Sequence, residues 1–295
     1  MPVQEVQSNF TPSYTNCASN AYVSHSSSAY SGRIERGIKE MYAEDDLGAT
    51  SLFLGNYINF GYWPIEMKRG PISTQERLKS EQDMYRRVAK ELDVNENQVI
   101  AEVGSGRGVG AELILREFHP NTLIGIDFCD EQVERARRIN GLTVQNGLNF
   151  QVGDAENLPF EDSSIDGVFS VEAAQHFPSI PNFMNEVSRV LKPGGKISFA
   201  SFFGCHDLAK SKVSPLIQTV NANIDRLHSI HSTEKALKDA GFTDVKIQSI
   251  GKYVWNGFDR WVSQTELRNS WTRNWKKAYE NQDLDYYLIK GTKKC

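Results

Sequence analysis

The chain has little of several things that would narrow its role at once. Its 295 residues hold four cysteines, Cys17, Cys129, Cys205 and Cys295, and none forms a CxxC pair. Such scattering supplies neither a disulfide framework nor a zinc site, so they read as free thiols. Cys205-His206-Asp207 and His228-Ser229-Ile230-His231 match no strong metal spacing, and no metal is expected. No run approaches the roughly twenty apolar residues that cross a bilayer, so no membrane span is expected. The charged and apolar regions of a signal peptide are also missing at the N-terminus, which points to a cytoplasmic protein. Basic charge is not in excess: 33 Lys and Arg face 37 Asp and Glu, a formal net charge of −4, and a nucleic-acid partner is disfavoured. No internal repeat is visible. What remains is an ordinary globular composition, 39% hydrophobic, long enough to bury a substantial core.

Against that background residues 99–110, Val-Ile-Ala-Glu-Val-Gly-Ser-Gly-Arg-Gly-Val-Gly, stand out. An apolar run containing Glu102 opens into glycines at every second position. That pattern predicts a strand feeding a glycine loop that starts a helix. Without Cβ atoms, Gly104, Gly106 and Gly108 let the backbone turn sharply and come close to a nucleotide-like ligand. Dinucleotide spacing would need glycine at position 109, where Val109 stands. A second apolar run, Leu123-Ile124-Gly125-Ile126, ends in Asp127, about twenty residues after the loop, where a carboxylate accepts from both hydroxyls of a ribose. Taken alone, the loop also suits any tight strand-to-helix turn, and Asp127 suits a helix N-cap before a helix near Glu131.

With these two blocks the sequence resembles the class I S-adenosylmethionine-dependent methyltransferases, and three further segments agree. Gly153-Asp154-Ala155-Glu156-Asn157-Leu158-Pro159-Phe160 is similar to the family's segment after the third strand, whose acidic residue and neighbour face adenine. Ile165-Asp166-Gly167-Val168-Phe169-Ser170 resembles its fourth strand, and Leu191-Lys192-Pro193-Gly194-Gly195-Lys196 its turn into the fifth. The likeness covers roughly residues 99–203 and is thin outside them. It implies a Rossmann-like α/β fold: a seven-stranded, mostly parallel sheet flanked by helices. It also implies S-adenosyl-L-methionine as cofactor and S-adenosyl-L-homocysteine as product. The implied cofactor residues are Glu102, Gly104, Ser105, Gly106, Gly108, Asp127, Phe128, Asp154, Ala155, Glu172 and Gln175.

Along the chain, residues 1–30 are rich in Ser, Asn, Tyr and Thr and suggest a flexible segment. Residues 31–95 read as a helical cap or lid, with helical patterns over 33–44 and 76–92. Residues 96–295 read as the cofactor-binding domain, with an insertion at about 205–232 and a helix beginning near Thr233, capped by Ser232. Strands are expected at 123–127, 148–152, 165–171 and 196–202, and helices at 109–118, 131–140 and 181–191. Gly241-Phe242 followed by Val245-Lys246-Ile247-Gln248-Ser249-Ile250 resembles the family's penultimate strand, and Tyr286-Tyr287-Leu288-Ile289-Lys290-Gly291 its last.

For the chemistry, a hydroxyl acceptor benefits from a base, and His176 follows the fourth strand at the sheet edge where open α/β sheets bind ligands. In similar small-molecule O-methyltransferases a histidine there acts as base; the bland alternative is a histidine that packs the loop. The run Ala200-Ser201-Phe202-Phe203 lacks the acid that some sugar-modifying relatives carry, so no second base is supplied there. Tyr57, Phe60, Tyr62 and Trp63, together with His206 and Trp255, are the expected substrate contacts, with Phe258 and Trp261 nearby in the aromatic C-terminal third. The resemblance to phthiotriol-type lipid, tocopherol and polyketide-tailoring methyltransferases implies methyl transfer to a hydroxyl of a lipophilic natural product, by a monomer or homodimer. C- or N-methylation, or a cyclase that keeps the fold and binds the cofactor without consuming it, stays open at this level.

Overall fold

Apolar runs bounded by glycine, proline or acidic residues make the strands, and amphipathic stretches between them make the helices. The computed structural model describes residues 36–44, 46–64, 70–141 and 147–295, so the segment expected to be flexible at 1–30, with Cys17, lies outside the described residues. Seven strands form one sheet: β1 (Val99–Val103), β2 (Thr122–Asp127), β3 (Leu148–Val152), β4 (Ile165–Val171), β5 (Leu191–Gly204), β6 (Phe242–Ser249) and β7 (Leu284–Lys293). Their order is β3-β2-β1-β4-β5-β7-β6. The first five run parallel, and β7 lies antiparallel between β5 and β6. This is the seven-stranded, mostly parallel sheet that the sequence implies. Chain direction across the sheet reverses between β1 and β4, which opens a crevice above their carboxyl ends.

Helices α1 (Thr74–Ala89), α2 (Val109–Phe118), α3 (Asp130–Ile139) and α4 (Ile180–Val190) cover the two faces. Ser73 and Glu76 close a full capping box at the start of α1. This helix, expected in a lid, packs against β4, β5 and α2 as part of the sandwich. Local signals are displaced at two caps. Cys129, not Asp127, is the residue before α3, because Asp127 turns its carboxylate toward backbone N–H groups of the loop. Ser229, not Ser232, caps the helix Ile230–Asp239, its hydroxyl accepting from the Ser232 N–H. The expected insertion holds the short helices Ala209–Val213 and Gln218–Asn221.

The aromatic segment before β1 is tied down on all sides. Arg77 and Glu81, fully buried in α1, form an ion pair at 3.0 Å. The Arg77 guanidinium donates to the carbonyls of Leu52 and Asn59, while Glu81 accepts from the Leu54 N–H. Burial pushes the Glu81 carboxyl up to about 8 even with Arg77 beside it. Phe60 is thereby seated in an aromatic cluster with Phe202, Trp255, Phe258 and Trp275, at ring-centre distances of 4.5 to 6.2 Å. Trp255, Phe258 and Trp275 come from a helical insertion between β6 and β7, the helices Trp255–Val262 and Asn274–Glu280. Its 3-residue aromatic spacing, Trp255, Phe258, Trp261, is the sequence signal for a buried helix face.

Candidate functional site

The crevice above β1 and β4 is a cleft built from the glycine loop, the end of β2, the segment after β3, the turn after β4 and the helical residues 36–44. Gly104 takes φ +80, and a Cβ there would stand 2.1 Å from the Ala173 Cβ, so β1 passes the β4 turn at a distance only glycine allows. Gly106, at φ +51, has nothing within 4 Å of where a Cβ would be, and its bare backbone lines the cleft. Gly108 is the N-cap of α2 and packs under the Phe150 ring. The Gly106 and Cys129 N–H groups donate to the Asp127 carboxylate at 2.7 and 2.9 Å, which holds Asp127 over the loop with lone pairs to spare. Burial still raises its carboxyl above the ordinary range.

Of the residues implied to hold the cofactor, Gly104, Ser105, Gly106, Asp127, Phe128, Asp154, Ala155 and Glu172 line this cleft. Glu102 is wholly buried behind the loop, where burial keeps its carboxyl well above the usual range. Gln175 is also set back. Its amide donates to the Glu172 carbonyl and accepts from Ser201, bracing the β4 turn. Among the buried polar atoms of cleft-lining residues that have no partner are Ser105 Oγ and Gln132 Oε1, with Arg107 Nε and Arg226 Nε the other two. A nucleoside with ribose hydroxyls beside Asp127 and polar groups beside the Ser105 and Gln132 atoms suits that donor and acceptor set.

His176 sits at the opposite wall. Its Nδ1 lies 3.1 Å from the Ile224 carbonyl and 3.6 Å from Asp225 Oδ1, and its Nε2 lies 2.9 Å from the Tyr42 hydroxyl. A carbonyl only accepts, so Nδ1 carries the proton and Nε2 presents its lone pair. Tyr42 is held as a phenol, since burial pushes it well above its usual range, and it donates to that lone pair. The ring therefore has an orienting carboxylate on one side and an accepting nitrogen holding a hydroxyl on the other. Tyr42 is itself fastened by its carbonyl, which accepts from Gln132 and Arg135 of α3. Arg107 ties the adjoining segment down through Asp46 and Asn56.

Glu172 forms the floor between the two halves. It takes φ +50 and accepts from the Phe60 N–H at 2.6 Å and the Tyr286 hydroxyl at 2.8 Å. Burial pushes its carboxyl up to about 8.

The expected substrate contacts are placed elsewhere, and none of the six lines this cleft. Tyr57 packs on Tyr85, Phe60 and Trp255 lie in the aromatic cluster, and Tyr62 stacks on Tyr253. Trp63 is buried with its indole N–H on the Phe60 carbonyl, and His206 pairs with Asp283 at 3.0 Å. From the same stretch it is Asn56 and Ile58 that reach the cleft. Tyr42, Arg107, Gln132, Asp225 and Arg226 are the site residues that sequence reasoning missed. Arg107 lies within the glycine loop itself, and the other four come from elements whose own sequence reads as ordinary amphipathic helix or insertion loop.

A family model described as a methyltransferase domain matches residues 101–199. Over 192 residues the chain is 31% identical to the phthiotriol/phenolphthiotriol dimycocerosates methyltransferase of Mycobacterium leprae, covering 62% of this chain and 69% of that protein. It is 36% identical over 140 residues to the fatty-acid O-methyltransferase of Mycolicibacterium smegmatis, covering 47% and 50%. The chain thus spans 50 to 69% of the length of the curated relatives it matches. Among solved structures, it superimposes on geranyl diphosphate C-methyltransferase from Streptomyces coelicolor A3(2) with a TM-score of 0.74. Identity there is 16%, with 91% of this chain and all of the other covered, so that likeness speaks to fold.

Proposed function

This chain belongs to the class I S-adenosylmethionine-dependent methyltransferases, and from that premise we propose that it transfers a methyl group to a hydroxyl of a lipophilic small molecule. The observation that carries the reading is His176, with Nδ1–H fixed by Ile224 and Asp225 and with Nε2 turned to a hydroxyl inside the cleft. The cofactor, when bound, supplies an activated methyl on a sulfonium. Asp127, Ser105 and Gln132 would hold its nucleoside, and the bare backbone at Gly106 leaves room for it.

The chain's own work is then to bring a hydroxyl to His176 Nε2, take its proton there and keep the charged ring stable beside Asp225. Removing water and fixing geometry accounts for much of such a reaction's rate, because an aligned acceptor reacts as if at very high local concentration. The wall residues Ile38, Ile58, Val171 and Phe177 make the acceptor side apolar, in keeping with relatives named for fatty acid and dimycocerosate substrates. Tyr42 marks the place of the acceptor hydroxyl and must yield or share it.

The test is to incubate the protein with S-adenosylmethionine and a panel of lipophilic phenols, alcohols, amines and acids, and to identify the products by mass spectrometry. Methyl ethers or esters support oxygen as the acceptor. Methylation only at carbon or nitrogen, with His176→Ala fully active, would remove the hydroxyl reading.

A further inference from the structure

Arg226 lines the cleft, and neither the nucleoside reading nor the base reading uses it. Five acidic or basic side chains line the cleft besides His176: Arg107, Asp127, Asp154, Glu172 and Arg226. Four are committed. Arg107 is paired with Asp46, Asp127 and Asp154 accept from backbone N–H groups, and Glu172 accepts from Phe60 and Tyr286. Among the described residues Arg226 meets no carboxylate, and its Nε is buried without any hydrogen-bond partner. Arg226 is half-buried, and its Nε is a buried donor left unsatisfied, which an anion seated on the guanidinium would satisfy.

The fold also says which molecule that anion belongs to. The Arg226 N–H donates to the Gln175 carbonyl at 2.7 Å, so residues 224–226 run beside the His176 turn. They belong to the segment that follows β5, on the far side of β4 from β1, whereas the nucleoside wall is built from β1, β2 and β3. Nearby His228 adds no charge, since burial pushes it down to about 4 and its Nε2 sits on the Phe177 carbonyl. Arg226 is thus a cation of the cleft on the same side of β4 as the His176 turn, with its backbone held beside that turn. Its planar fork matches a carboxylate or phosphate with two parallel hydrogen bonds.

Resting on the reading of a lipophilic hydroxyl acceptor, we infer that this acceptor also carries an anionic group, a carboxylate or phosphate, and that Arg226 holds it while the hydroxyl meets His176. The acceptor class is then a lipophilic acid, not a neutral alcohol or phenol.

The experiment is isothermal titration of the full chain, saturated with S-adenosylhomocysteine, with 3-hydroxydodecanoate, its neutral amide and dodecyl phosphate. The acid is expected to bind at least tenfold tighter than the amide. Arg226→Gln is expected to erase that difference and Arg226→Lys to restore part of it. Tighter binding of the phosphate than of the acid would assign a phosphate, and the reverse a carboxylate. Equal binding of acid and amide by the unaltered protein overturns the inference without needing any variant. So does discrimination that survives in Arg226→Gln while affinity for S-adenosylhomocysteine drops tenfold, which would make Arg226 a cofactor ligand. Methyl transfer to the same compounds is followed separately. Anion discrimination without transfer would sink the proposed activity and leave this site standing; transfer to acid and amide alike would do the opposite.

Discussion

His176 owes its chemical bias to three neighbours. The Ile224 carbonyl sets the tautomer, Asp225 stands 3.6 Å from Nδ1, and Tyr42 shows where a hydroxyl fits. We expect His176→Ala to lower the rate of oxygen methylation by about 10²- to 10⁴-fold, the usual contribution of a positioned base, with affinity for S-adenosylhomocysteine unchanged in calorimetry. Glu172 yields a prediction of a different kind. Its folded carboxyl is raised to about 8 by burial, against an ordinary value near 4.5, so the folded protein prefers it protonated. That contribution is whole below about pH 4.5 and is lost as pH rises through about 8. Thermal midpoints should fall between pH 6 and 9, and fall less in Glu172→Gln, which keeps an accepting oxygen for Phe60 and Tyr286. Glu81, raised the same way, leaves a residual decline in the variant. An identical pH profile in the two proteins would contradict the buried, neutral Glu172.

At the scale of elements, α1 does two jobs that its sequence shows unequally. Its apolar stripe was legible as Leu78, Met84, Tyr85, Val88, Ala89 and Leu92, whereas its start was expected at Glu76 and lies at Thr74, behind the Ser73 cap. Arg77 and Glu81 are spaced like a solvated pair, yet both are fully buried and anchor the loop that carries Phe60 onto Glu172. Removing Arg77 leaves a cavity beside the Leu52 and Asn59 carbonyls, which lose their donor, and drives Glu81 further toward its neutral form. We expect Arg77→Ala to cost about 3–5 kcal/mol in chemical denaturation, and a loss below about 1 kcal/mol would show that Glu81 is not held as the structure has it. The helical segment at 36–44 is latched differently, through carbonyls of Tyr42 and Ala43 to Arg135. Arg135→Ala is expected to speed amide exchange across residues 36–44 and to hasten release of S-adenosylhomocysteine, while leaving the exchange of β1 and β4 unchanged.

For the molecule as a whole, the cofactor assignment has a direct thermal signature. A ligand that binds only the folded state, supplied at a hundred times its Kd, stabilises by about 2.7 kcal/mol. S-adenosylmethionine and S-adenosylhomocysteine should each raise the melting temperature and NAD should not; a response to NAD alone would mean that the glycine loop serves a dinucleotide.

The sequence by itself determined the strand-loop-helix at 99–118, the acidic end of β2, the alternation of strands and helices, and hence the sheet and its cofactor edge. These are local features, carried by glycine conformation, side-chain period and short spacing, so a linear reading suffices. It also placed His176 after β4. Only the tertiary structure decided what surrounds that histidine, because Tyr42, Ile224 and Asp225 reach it from chain positions 134, 48 and 49 residues away. The same holds for the aromatic residues at 57–63. Their composition suits a substrate wall and a buried core equally, and the choice went to the core because Glu172, Ser80 and Tyr253 capture the backbone of that segment and turn its rings inward. Long-range hydrogen bonds and packing settle such questions, and they have no local signature for a sequence to display.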